Sequence, residues 1–534
     1  MSRPDQPSSD LSPLRYSIFR ALWLAAIASN IGSLMEAVGE SWLMASLTSS
    51  ALLIALAYAA DSISIVLLAL PAGALADIVN RRRLLIASQA WMLAVAAALG
   101  VMTALSLVTP GMLLALIALL GIGEAVSLPA FSPFMLGSLP RSETRGAVTL
   151  IGVAMNLGRG VGPAIGGLVI ALSGPAAVFF INAASFMGVI AALYWSKDQY
   201  KNPTQSSLPA ERIAGAIKAG VRYVRHSSQI RAVLARSAAF TVPISIVPAL
   251  LPTFVKYDLR LGSEAYGIFY GIFGLGAIVG GLVIIPRLSK RYSPDRLVFA
   301  GTLMFMGALA LLSVTSSPVL IALAMVVAGT AQLMSYASLG YSLYGSLPNW
   351  VTARVASFYQ LVVQAALVGG SIAWGSIADV VGVRISLIVA AASFGAGLAI
   401  RYRYRLMGEK APDLSPSVRW PASELISSAG YDEGPVMVLI EYVIDPARIE
   451  EFTAAMDRVS VIRKRDGAFF WGLFRHDSKP NVFVESFLVD SWVEHLRQHE
   501  RVTVADRQVL DRAISFHTGA TPPAVSHFIA ESSA

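Results

Sequence analysis

Residues 145–167 read RGAVTLIGVAMNLGRGVGPAIGG, and at an offset of 209 (354 minus 145) residues 354–376 read RVASFYQLVVQAALVGGSIAWGS. Both open on an arginine, and Ala147, Val153, Gly160 and Gly166 recur as Ala356, Val362, Gly369 and Gly375. Ser138-Leu139-Pro140 precedes the first stretch as Ser346-Leu347-Pro348 precedes the second. Each stretch runs into an apolar, glycine-studded helix long enough to cross a bilayer. Each is also the fifth apolar segment of its half, which is how a duplicated membrane unit reads.

Outward from these two copies, six spans are predicted at 18–44, 51–74, 84–108, 111–137, 147–172 and 176–196. Six more follow at 234–255, 265–286, 297–315, 319–345, 355–378 and 383–400. Composition agrees with that count: 55% of residues are hydrophobic and 14% charged, with a mean hydropathy of +0.63, which excludes a water-soluble fold of this size. The formal charge of +8 does not indicate nucleic acid, because the basic residues sit in short clusters between apolar runs rather than on one face. With no cysteine, disulfides and thiolate metal sites are excluded.

The expected fold is therefore all-α and polytopic, two bundles of six helices at 14–196 and 232–405. A polar tail read as disordered precedes them (1–13), and the linkers are 197–231 and 406–434. The tail lacks the pattern of a cleaved signal peptide, so the first span is expected to remain. Within the first linker, Glu211 to His226 reads as an amphipathic surface helix carrying Arg212, Lys218, Arg222 and Arg225, or as a merely solvated charged one. Arginines cluster on alternate connections, at Arg15 and Arg20, Arg81 to Arg83, Arg141 and Arg145, Arg287 to Arg296, Arg354, and Arg401 to Arg405. The connections between them are nearly free of charge. By the positive-inside rule both termini and the central linker are expected to be cytoplasmic.

Between spans 2 and 3, residues 73–83 read GALADIVNRRR and resemble the signature loop of the major facilitator superfamily, G-x-L-A-D-R-x-G-R-[RK]. Gly73, Asp77, Arg81 and Arg82 match, whereas Ile78 and Asn80 stand where the family has arginine and glycine. Gly158, Gly162, Pro163, Gly166 and Gly167 in span 5 resemble the superfamily's exporter motif. The chain from about Leu14 onward looks like the secretion-effector branch that includes the enterobactin exporter and macrolide efflux pumps. That resemblance implies export of a small molecule from a cytoplasmic (inner) membrane. It also implies that Asp77 acts as a gate latch, pairing with a basic residue or a helix N-terminus across the seam between halves; charge bias alone is the plainer alternative.

Five ionisable residues fall inside spans: Glu36, Glu40, Asp61, Glu124 and Arg159. Each costs a few kcal/mol at mid-bilayer unless it faces a partner or water. Ser29, Gly32, Ser33, Glu36 and Glu40 follow helical spacing and should line a cavity. A carboxyl removed from water favours its neutral form, so such groups can load a proton on one side and release it on the other. Glu36, Asp61, Glu124 and Glu40 are the proton-coupling candidates, although Glu40 is expected to reach the outer interface. Glu124 and Arg159 are expected to form an intramembrane ion pair. Spans 8 to 12 carry no interior carboxylate and offer Gln332, Tyr336, Gln360 and Gln364 as neutral cavity groups, with helix-to-helix bonding the alternative.

Residues 435–534 change to soluble composition and read β-α-β-β-α-β, a ferredoxin-like order. Asp445 is read as the cap of the first helix, with Pro446 behind it. The module resembles dimeric α/β-barrel domains, which implies a homodimer through its sheet. His495 and His499, four apart, could share a metal, but no third ligand is evident. No nucleophile–base constellation or cofactor loop is visible, so no enzyme activity, cofactor or metal is expected. The remaining alternative is a membrane-anchored ligand-binding or bifunctional protein whose tail carries the activity.

Overall fold

The computed structural model describes residues 11–196, 213–406, 413–415, 417 and 433–531. The tail before residue 11, residues 197–212 of the first linker and most of the second linker therefore lie outside the described residues. Among the described residues, twelve helical spans are long and apolar enough to cross a membrane. Six build the first half: α1 (Ser17–Leu47), α2 (Ala51–Ile78), α3 (Arg81–Ala104), α4 (Pro110–Gly137), α5 (Thr144–Ser173) and α6 (Pro175–Trp195). Their ends follow from local chemistry. Ser50, Asn80 and Thr109 cap α2, α3 and α4 by accepting from backbone N–H groups. Gly174, with φ of 78°, turns the chain between α5 and α6 in a conformation that only glycine adopts readily.

After α7 (Ile213–His226), the seventh span is not one continuous helix. It runs as α8 (Ser228–Ile244) and α9 (Ile246–Thr253) and then through a π-helical turn at Phe254–Asp258. The break at Ser245 has a cause in sequence, because Pro243, Pro248 and Pro252 each remove a backbone donor. The half continues with α10 (Ser263–Val279), a π-helical turn at Gly280–Ile284, α11 (Ile285–Leu288), α12 (Pro294–Val314), α13 (Pro318–Tyr344), α14 (Asn349–Val381) and α15 (Val383–Arg403). The duplicated stretches 145–167 and 354–376 thus lie in α5 and α14, the fifth span of each half.

Two compact units divide the chain. In the larger one, α1 packs on α5 and α6, α2 on α4, α12 on α15, and α5 on α10 across the seam between halves. Phe240, Phe305 and Phe394 form an aromatic knot in the second half, with centroids 5.8 to 6.3 Å apart. On that half's arginine-bearing side, Asp295 in the first turn of α12 is bound by Arg236 of α8 and, at 3.0 Å, by Arg401 of α15.

The smaller unit contains α7, the α13–α14 turn and the C-terminal module. The module is β1 (Val436–Val443), α16 (Ile449–Asp466), β2 (Phe470–Arg475), β3 (Val482–Val489), α17 (Trp492–Arg501), α18 (Val504–Ile514) and β4 (Ala524–Ile529). Its antiparallel sheet has the order β2-β3-β1-β4, the ferredoxin-like arrangement. Where the β-α-β-β-α-β pattern expects one second helix, the module has two. Thr503 and Asp506 form a capping box that starts α18 afresh.

The amphipathic segment before the seventh span is more than a solvated helix. Arg222 donates to Glu494 at 2.9 Å, and Arg501 donates to the same carboxylate at 2.6 Å. Arg501 stacks on Trp350 with 4.6 Å to the ring centroid, and Arg465 stacks on Tyr223 at 5.3 Å.

Candidate functional site

The site is built on α2 and α4 of the first half. Asp61 lies ten residues into α2, and Gly121 of α4 stands opposite it: a Cβ at Gly121 would meet the Asp61 Oδ1 at 2.7 Å and its carbonyl oxygen at 2.8 Å. Absence of that methyl brings the helices close enough for the Asp61 and Glu124 carboxyls to interact directly. A hydrogen bond between two carboxyls needs a proton on one of them. Glu124 also lines a cavity of about 200 Å³ inside the first half, together with Ser29, Ser33, Gln89 and Ser127. Ser29 and Ser33 lie on the α1 face expected from helical spacing.

Glu36 and Glu40, on α1, are both buried, at 5% and 8% exposure. Glu36 accepts from the Asn182 amide of α6, and its other oxygen has no partner. Gly32 makes that approach feasible, since a Cβ there would meet the Asn182 Oδ1. The reading of Glu40 as an interface residue is corrected: it faces the interior, beside Tyr266 and near Glu36 and Asp61.

The Glu124–Arg159 ion pair is corrected as well. Arg159 is exposed on α5, its charge is felt by Tyr270 of α10, and Glu124 pairs with Asp61. Neighbouring helices in sequence need not present their polar residues to each other.

Tyrosines and an amide that were not singled out complete the cluster. Ser41 lies beside Tyr266 and Tyr58 beside Tyr270, both across the seam. Trp42, Tyr266, Tyr270 and Phe273 stack in a column with centroids 6.0 to 6.1 Å apart. The spacing of Tyr266 and Tyr270 by four, and one Asn in the apolar run of α6, are the sequence signals that could have found them.

In the second half, Gln364 donates to Ser62 of α2 at 3.3 Å, again across the seam. Tyr336 bonds Thr241 at 3.0 Å within its own half. Gln332 is half-buried in α13, and Gln360 is exposed on α14.

The exporter-like glycines serve two neighbours. Cβ atoms at Gly158, Gly162 and Gly166 would collide with Asn30, Leu34 and Met35 of α1, at 2.9 to 3.1 Å. Gly167 and Gly267 touch across the seam, a Cβ on either lying 2.6 Å from the other's Cα, and Pro163 presents its carbonyl to Gly267.

At the signature loop, the side chain of Asp77 lies outside the described residues. Gly73 has open space beside it. Arg82 donates to the last carbonyls of α6, Leu193 at 2.7 Å and Tyr194 at 3.2 Å, a contact within its own half. Asn80, the departure from the signature, accepts from the N–H groups of Arg82 and Arg83 and so starts α3.

A cross-seam latch is present at the opposite, charge-poor end. Asp379 of α14 accepts from Ala51 N at 2.5 Å, from Ser50 Oγ at 2.8 Å and from Leu52 N at 3.3 Å, a carboxylate seated on the N-terminus of α2. Beside it Lys256 and Tyr257 donate to Ala45 O at 2.6 and 2.8 Å. The seam is therefore closed at this end. Asp379→Asn keeps the size and loses the charge, which should weaken closure by about 1 kcal/mol, or roughly fivefold in the open-to-closed ratio. Spin labels at Leu47→Cys and Leu261→Cys would report it as a longer-distance population; an unchanged distribution would remove Asp379 from the latch.

In the C-terminal module, the Nε2 atoms of His495 and His499 lie 3.0 Å apart, so one ring donates and the other accepts. Burial first, then the neighbouring His499, His527 and Arg463, push His495 down to about 3. Burial with Arg463 and His527 pushes His499 down to about 4. Among the described residues no group of three metal-ligating side chains is assembled.

Because the folded rings resist protonation and the unfolded ones do not, their contribution to the module's stability is fully present only above pH 6.5. The module loses about 2 kcal/mol per ring on falling to pH 5. Hydrogen exchange of residues 436–529 in the intact chain, corrected for intrinsic rates, should show protection reduced tenfold or more at pH 5. Equal protection at pH 7 and pH 5 would refute it.

Two duplicated six-helix halves enclosing buried carboxyls define a secondary transporter of the major facilitator type. The chain belongs to the transmembrane secretion effector family, whose sequence model matches residues 8–534. No curated protein matches it. Among solved structures it is similar to a bacterial homolog of the human lysosomal transporter Spinster, inward-facing and unoccupied, at 14% identity and a TM-score of 0.60, over 73% of this chain and 97% of that one. It is similar also to the nucleoside transporter NupG, at 15% identity and a TM-score of 0.57, over 73% and 100%. The peptide transporter PepTSo matches at 12% and 0.58, over 75% and 98%.

Proposed function

We propose that this protein exports a small molecule, a drug, siderophore or similar metabolite, in exchange for protons by alternating access. The observation that carries the reading is the pair of buried, interacting carboxyls Asp61 and Glu124, with Glu124 lining the cavity. A proton shared by two desolvated carboxyls is released when the helices part and water enters, so protonation and conformation are linked. Glu36 and Glu40 extend the acidic path along α1. Gln332, Tyr336, Gln360 and Gln364 supply neutral contacts to cargo from the second half.

The clustering of arginine on one set of connections supports a cytoplasmic-membrane location with both termini inside. The signature loop, with Gly73, Asp77, Arg81 and Arg82, is then the cytoplasmic gate. The face of the module's sheet away from its helices carries exposed Phe470, Phe474 and Phe528, which supports a homodimer formed there.

Transport into everted vesicles under an imposed pH gradient, screened over siderophores, macrolides and dyes, tests the function. Accumulation that collapses when the gradient is dissipated supports it. Accumulation indifferent to the gradient rejects proton coupling. The same assay on a chain ending at residue 406 separates a transporter with an accessory tail from a protein whose tail carries the activity.

A further inference from the structure

Beside α7, in the smaller unit, lies a groove of about 530 Å³ that the transport reading does not use. Lys218, Arg222, Arg225 and His226 come to it from α7 and Lys464 from the end of α16. Among the described residues no carboxylate lines it. Two of its cations are already balanced, Lys218 by Asp490 at 2.8 Å and Arg222 by Glu494 at 2.9 Å. Arg225 and Lys464 make no ion pair among the described residues, and the Arg222 Nε is buried without a partner. The groove is thus an anion site with charge to spare.

Its remaining walls are apolar. Val221 and Phe469 are 47% and 52% exposed, and the buried Ala468 completes the lining. A site that pairs guanidinium and ammonium groups with exposed hydrocarbon suits an anionic amphiphile better than a free ion. Its place in the chain points the same way: Arg225 and His226 end α7, and the seventh membrane span begins at Ser228. Basic residues immediately outside a span lie at headgroup depth, where anionic lipids collect.

We infer that this groove binds the phosphate headgroup of an anionic phospholipid, with Arg225 and Lys464 as the phosphate donors. The buried Arg222 Nε–H supplies a further donor, and Val221 and Phe469 hold the start of an acyl chain. Because α7 and α16 form opposite walls, the lipid fastens the last turn of α16 to the helix that leads into the second half.

The test uses the full-length protein in detergent and native mass spectrometry, with phosphatidylglycerol and phosphatidylcholine of identical chains. Phosphatidylglycerol is expected to be retained at about tenfold lower concentration. R225Q/K464Q is expected to erase that preference, while K290Q/R291Q, which removes the same charge from an exposed turn in the larger unit, preserves it. Should R225Q/K464Q fail to fold, each single substitution should lower the preference several-fold. The proposal is overturned by equal binding of both lipids, by a preference that survives R225Q/K464Q, or by one that the control variant loses equally. Displacement of the lipid by millimolar inorganic phosphate would also overturn it, in favour of a soluble anion.

Discussion

Asp61→Asn combined with Glu124→Gln should reduce gradient-driven accumulation in everted vesicles by tenfold or more while leaving the protein folded and inserted. Both substitutions preserve shape and permit a hydrogen bond between the pair, since an amide can donate as a carboxylic acid can. What they remove is the exchangeable proton. Each single variant should retain part of the coupling, because the other carboxyl still titrates. Exchange of cargo across the membrane without a gradient should persist, as it needs only the conformational change. If the double variant still accumulates cargo as the unsubstituted protein does, the proton is carried elsewhere, and Glu36 with its one unpartnered oxygen is the next group to replace.

Gly267→Leu is expected to be the second large effect. The Gly267 and Gly167 backbones meet so closely that even a methyl group would sit 2.6 Å from the facing Cα and 2.7 Å from the Pro163 carbonyl. Backbone atoms cannot swing aside as a side chain can, so α5 and α10 must separate. Their contact lies toward the charge-poor end, the end that Asp379, Lys256 and Tyr257 also close. The variant should therefore populate a state opened at that end. The chain has no cysteine, so labels at Leu47→Cys and Leu261→Cys, both partly exposed, report on that end alone. Transport should fall at least tenfold, and a label distance unchanged from the parent would refute the packing argument. Gly73→Leu, with open space around it, should leave that label distance unchanged.

The spans were legible in sequence because an apolar run bounded by arginines or turn residues has few other solutions in a bilayer. The β-α-β-β-α-β pattern of the tail was legible for a similar reason, each element carrying its own periodicity and caps. The split of the seventh span at Ser245 was less so, although its three prolines stood in plain view. What one sequence does not contain is the rotation of each helix about its axis. Depth placed Glu124 near Arg159, whereas rotation turned it toward Asp61. Glu40 looked close enough to a helix end to reach water, but α1 extends to Leu47 and keeps it inside. The latch was sought at Asp77 on the strength of a resemblance. Asp379 forms the analogous contact at the other end of the seam, and nothing local to Asp379 distinguishes it from an ordinary helix terminus.

Asp295, gripped by Arg236 and Arg401, has a mechanical consequence. One carboxylate neutralised by two guanidiniums fastens α8 and the start of α12 to the finish of α15. Those three rods cannot splay independently without stranding a charge. The compliance needed for a working stroke is thereby displaced from the second bundle to its boundary with the first, where glycine lets surfaces slide. Loosening the triad would yield a molecule that deforms within one bundle and wastes the stroke.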